Sequence, residues 1–131
     1  MRYSLLMHYP EMTEADLGED VLAEGKAAFD AYAKSLDAAG VLVSAEVLQP
    51  VATATTLTLR EGTPKIQDGP FADTKEQLGG TFVIEVPDLD TALAWAQQCP
   101  AAQYGVVEIR PSAVFFRDGQ WHSTEGVPRA Q

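Results

Sequence analysis

Cysteine is almost absent from this sequence: Cys99 stands alone among 131 residues. A single thiol cannot close an intramolecular disulfide or form a paired-cysteine zinc site, so a reducing compartment, the cytoplasm, is expected without structural zinc. Basic residues are scarce as well, nine Lys and Arg against nineteen Asp and Glu, for a net charge of −10. Nucleic-acid affinity rests on cationic side chains that displace counterions, so no nucleic acid and no anionic membrane is expected as a partner. Long apolar runs are missing too. Leu5–Met7 is far shorter than the apolar core of a secretory signal, and nothing approaches the roughly 20 residues of a membrane span. Histidine occurs only at His8 and His122. There is no H-x-x-x-H, no two-His-one-carboxylate spacing and no calcium loop, so no metal is expected. The pair Gly79-Gly80 lies inside an apolar stretch with no helix after it, which makes a poor phosphate cradle and implies no nucleotide cofactor.

What is present is enough for one core: 46% of the residues are hydrophobic, at a length typical of a single domain. Arg2 to Tyr9 is apolar and aromatic and ends at Pro10, as a buried strand would. Thr13 to Asp16 resembles a capping box, and Val21, Ala28, Phe29, Tyr32 and Leu36 recur at helical spacing up to Gly40, where a left-handed residue closes the helix. Val41 to Leu48 reads as a second strand. Thr53 to Arg60 alternates Leu57 and Leu59 against threonines and predicts a half-buried third strand, with Lys65 to Gln67 returning as a hairpin arm after a turn glycine. Leu78 to Val86 alternates as a central strand. Asp88 is a good N-cap for a second helix with Leu89, Ala92, Leu93 and Ala96 as its stripe. Val106 to Arg110 supplies the last core strand, stopped by Pro111. A sheet with both helices on one face satisfies this order, the α+β, ferredoxin-like split βαβ arrangement. Residues 112–131 read as a tail with a short hairpin around Asp118-Gly119.

The stretch Asp68-Gly-Pro-Phe-Ala-Asp-Thr-Lys-Glu-Gln-Leu-Gly-Gly80 resembles the signature of the YCII-related family, in its DGPF branch. The likeness continues through Val86-Pro-Asp-Leu-Asp90, Cys99-Pro-Ala-Ala102 and Val107-Glu-Ile-Arg-Pro111, and covers residues 1–111. It implies a ferredoxin-like unit that pairs into a dimeric α+β barrel, hence a homodimer, and an association with extracytoplasmic-function sigma factors. Distant relatives implied by the same resemblance are lyases, isomerases and monooxygenases that mostly need no cofactor. The family's His and Asp pair places its His on the first helix, which here has none. Only Asp68 carries over, leaving His8 or His122 as a substitute.

Several residues can carry chemistry. Asp68 is either a turn former before Gly69-Pro70 or a functional carboxylate whose direction a buried Phe71 fixes. Glu76 could pair with Asp68 for acid and base work, with Lys75 biasing their protonation or holding an anionic ligand; the bland alternative is a solvated strand end. His8 could serve as a base at a pocket rim. Glu108 and Arg110 share one strand face, which is wet in an open sheet but lines a cavity in the barrel the resemblance implies. Gly79 and Gly80 suggest a bulge or a close approach. Three classes of function remain open. A ligand-binding or regulatory dimer ranks first because the helix histidine is missing. The others are a cofactor-independent lyase or isomerase and a structural dimer without a site.

Overall fold

A computed structural model of the chain describes residues 1–123. Strand β1 (Arg2–Tyr9) is followed by helices α1 (Glu14–Leu17) and α2 (Glu19–Ala38), then by β2 (Leu42–Val47), a short 3₁₀ turn at Val51–Thr53, β3 (Thr55–Arg60) and β4 (Thr63–Asp68). The remainder is β5 (Gln77–Glu85), α3 (Leu89–Gln97), α4 (Ala101–Tyr104), β6 (Val106–Pro111), β7 (Val114–Arg117) and β8 (Gln120–Ser123). The main sheet has the order β2-β5-β1-β6 with every neighbouring pair antiparallel. Strand β5 therefore lies between β1 and β2, which α2 connects, and β1 lies between β5 and β6, which α3 connects. That double splitting is the ferredoxin-like topology the element order predicts.

Alternation decides the faces. Tyr3, Leu5 and Met7 of β1 and Phe82 and Ile84 of β5 are at most 4% exposed and pack against Tyr32 and Leu36 of α2 and Ala92 and Ala96 of α3. Each large apolar side chain so buried adds about 1.5–3 kcal/mol to stability. Leu89 and Leu93, expected on the α3 stripe, are half exposed or nearly so; the two alanines let the helix sit close to the sheet and push the leucines to its flank. Cys99 is fully buried, its Sγ 3.7 Å from the Met7 sulfur, and so packs as a small apolar group. Burial is also the main cause that pushes its thiol pKa up.

The chain's punctuation follows its caps. Thr13 and Asp16 form a complete capping box, but on α1 alone, because Gly18 breaks the helix at φ 88° before α2 begins. Asp88 accepts from the Thr91 N–H at 2.9 Å, and that residue's hydroxyl and amide hold the carboxyl below its usual pKa. Gly40 has φ 74°, as its closing place requires. The hairpins β3–β4 and β7–β8 each turn on an acidic residue and a glycine with positive φ, Glu61-Gly62 and Asp118-Gly119, the signature of a two-residue type I′ loop.

One strand is placed differently from its pattern. Leu57 and Leu59 are 62% and 65% exposed, and Thr56 and Thr58 are the half-buried pair. Among the described residues strands β3 and β4 pair only with each other, and nothing there covers Leu57, Leu59 and Ile66. The second hairpin has a role that the sequence did not suggest: Phe115 of β7 lies 3.5 Å over the Arg2 guanidinium and covers that end of the helix-free face. Residues 124–131, the rest of the expected tail, lie outside the described residues.

Candidate functional site

The helix-free face presents Ser4, Leu6 and His8 of β1, Thr81 and Val83 of β5, and Glu108 and Arg110 of β6. Its two ends differ. At one end Arg2 lies under Phe115, and His122 stacks on that same ring with centroids 5.2 Å apart. At the other end His8 faces a cleft of about 890 Å³ between the segment 48–54 and the loop 70–78. A strand rises about 3.3 Å per residue, so His8 and His122 are separated by most of the sheet, roughly 20 Å. His8 is therefore the histidine available to this cleft.

His8 is held from the sheet side. In the β1–β6 register His8 stands opposite Val106 and Leu6 opposite Glu108, so His8 and Glu108 are diagonal neighbours on one face. Such diagonals are within reach of long side chains, and the His8 Nε2 lies 3.3 Å from the Glu108 carboxylate. Arg110, two residues further on, stands opposite Ser4 and lies outside the cleft. Sequence parity places His8 and Glu108 on inward- or outward-facing sets, but only the register brings them together across a hundred residues.

The other wall comes from the approach to β5. Lys75 and Glu76 both line the cleft, Glu76 half-buried and Lys75 exposed. Thr74 and Gln77 shape this corner: the Thr74 hydroxyl donates to the Glu76 carbonyl at 2.7 Å, and the Gln77 amide donates to the Thr74 carbonyl at 2.7 Å. Gln77 is buried, which fixes the turn that presents its neighbour Glu76. Asp68 ends β4, is exposed and stands outside the lining. Its carboxylate takes no hydrogen bond or ion pair among the described residues, so it caps no turn. Gly69, at φ 101°, makes the turn instead, with its N–H donating to the Ala54 carbonyl and its own carbonyl accepting from the Thr56 hydroxyl. Phe71 lines the cleft but is 92% exposed, not buried, because among the described residues no layer lies above the loop tip.

Both glycines of β5 are explained by close approach. Gly79 is the extra residue of a bulge, since Met7 pairs with Gly80 while His8 pairs with Leu78. A Cβ at Gly79 would run into the Tyr9 ring, whose hydroxyl donates to the Gly79 carbonyl at 3.2 Å. At Gly80 a Cβ would meet the Glu46 carbonyl of β2. His8 and Tyr9 are successive residues of β1, so they point to opposite faces of the sheet and line different cavities.

Against known proteins, the model of the YCII-related domain matches residues 1–115. The chain belongs to the YCII-related family. It is also 40% identical over 79 residues to an uncharacterised protein of Rhizobium meliloti (strain 1021), a match that covers 59% of this chain and 64% of that relative. This YCII-related chain thus spans under two thirds of its relative's length. Among its described residues no group of three or more His, Cys, Asp or Glu could hold a metal ion, and no helix is long and apolar enough to cross a membrane.

Proposed function

We propose that this YCII-related chain is a small-molecule-binding protein of the cytoplasm that works as a homodimer, with its ligand in the cleft at His8. One observation carries the reading: His8, steadied by Glu108, lines one concave space of about 890 Å³ together with exposed Lys75 and half-buried Glu76. That volume is in the range of small-molecule sites, which combine apolar walls with a few placed polar groups. A cation and a carboxylate together suit a ligand with an anionic group and a hydroxyl, as in small hydroxy acids. In the dimer a second copy covers the helix-free face, where Leu6 and Val83 are half-buried, and encloses Glu108 and Arg110. The Asp68–Gly80 stretch supports the DGPF branch. The acidic chain suits a basic protein partner such as an extracytoplasmic-function sigma factor.

Saturation-transfer NMR with a panel of small hydroxy acids tests the binding. Bound members that are lost from the double variant His8→Ala/Lys75→Ala uphold it, whereas members retained by that variant overturn it.

The His8–Glu108 contact also favours a second reading, a cofactor-independent lyase or isomerase. Here His8 takes a proton, Glu108 orients the ring and Glu76 is the partner acid or base. Asp68 joins only if its loop turns inward. Loss of deuterium from α-deuterated hydroxy or keto acids, abolished by His8→Ala, would favour catalysis over binding alone.

A further inference from the structure

Strand β1 ends on two residues that face two cavities: His8 lines the cleft described above and Tyr9 lines another, of about 730 Å³, on the helix side. This second cavity lies between the start of α2 and the ends of β1 and β2, and its walls are apolar: Met12, Leu17, Val21, Phe29 and Val47. Met12, Val21 and Val47 are each about half exposed or more, so the concavity keeps an apolar lining in contact with water.

Two features say what it holds. The first is Gly25, in the interior of α2, where glycine is less favourable than alanine. Tight packing does not demand it, since a Cβ there would meet nothing within 4 Å. Its missing side chain leaves the floor of the cavity open. The second is Lys26, the one charged residue of the lining. The carboxylate one turn along the helix, Asp30, is 2.8 Å from Lys34 instead, and Lys26 has no ion-pair partner among the described residues. In a chain of net charge −10, an uncompensated ammonium at the edge of an apolar cavity complements a ligand with an apolar body and a single negative head.

We propose that this cavity binds amphipathic carboxylic acids, with the hydrocarbon chain over Gly25 between Phe29 and Val47 and the carboxylate at Lys26. The site is separate from the His8 cleft, and the two lie on opposite faces of the same sheet end.

Calorimetric titration of the full chain with saturated acids of six, eight and ten carbons, kept below micelle formation, tests this. Burial of each methylene tightens binding about fourfold until the cavity is full. Lys26→Met, which keeps the apolar stem, weakens the eight-carbon acid roughly two- to fivefold, the range of an exposed ion pair, and leaves 1-octanol unchanged. Gly25→Leu fills the floor, abolishes uptake of the acids and leaves the unfolding midpoint equal or higher, because leucine is the better helix former. His8→Ala leaves all of these affinities unchanged. Absence of binding for every chain length, equal binding of acid and alcohol, or full affinity in a folded Gly25→Leu would each overturn the proposal.

Discussion

The main sheet and the β3–β4 ribbon carry the same kind of alternation and meet opposite fates. Leu5 and Ile84 are fully buried in the one, while Leu57, Leu59 and Ile66 are 62–67% exposed in the other. The difference lies outside the strands. Helices α2 and α3 return over the sheet because each connects strands that another strand separates, whereas β3 and β4 are joined by a two-residue turn that brings no covering layer. Alternation in a sequence therefore identifies a strand and its two faces, and the connections decide which face is covered.

Substitutions sharpen that contrast. The largest effect is expected in the sheet, where Phe82→Ala costs about 3–5 kcal/mol by chemical denaturation, while Leu57→Ala in the ribbon stays within about 0.5 kcal/mol. Equal losses would mean that the ribbon is covered in solution. Next comes Gly80→Ala, whose Cβ would stand 2.5 Å from the backbone carbonyl of Glu46; overpacking of that kind costs about 1–3 kcal/mol. Gly69→Ala has open space and pays only for its φ of 101°, roughly 1–2 kcal/mol. Asp68→Asn, which breaks no hydrogen bond, should leave the denaturation midpoint unchanged. If Asp68→Asn destabilised more than Gly69→Ala, the aspartate would be the turn's cap after all.

A pH-dependent effect concerns the helix caps. The hydrogen bonds from Thr13 and Thr91 hold Asp16 and Asp88 below the usual carboxylate pKa. The unfolded state thus takes up protons first as pH falls, so the stability these caps add is full near neutral pH, begins to fall near pH 4 and is lost as the pH passes through their lowered native pKa. Asp88→Ala should lower the unfolding midpoint at pH 7, and the gap to the native chain should narrow in acid. A gap that widens in acid would contradict the assignment.

Much of the fold was legible because its punctuation is local. Pro10 and Pro87 lie just past strand ends, Pro111 is the last paired residue of β6 and not a break before it, Asp88 caps a helix, and Gly40, Glu61-Gly62 and Asp118-Gly119 carry the positive φ their turns need. The bulge at Gly79 was likewise visible as a glycine inside an alternating strand. The site was less legible, because its parts meet through register and loop course. Nothing near His8 in sequence points to Glu108, and whether Asp68 or Glu76 faces the cleft depends on how residues 69–76 cross from the ribbon to the sheet. The exposure of Phe71 and the cover that Phe115 gives Arg2 depend on layers that no local pattern encodes.

The proposed ligand cleft opens at the His8 end of the helix-free face. Amide and imidazole ¹H–¹⁵N spectra, recorded while a hydroxy acid found by the NMR panel is added, test it most directly. Shifts are expected to concentrate in residues 48–54 and 70–78 and on the His8 ring, and Glu108→Gln is expected to alter the response of that ring. Shifts confined to the surroundings of Arg2 and His122, or a His8 ring that does not respond, would contradict it.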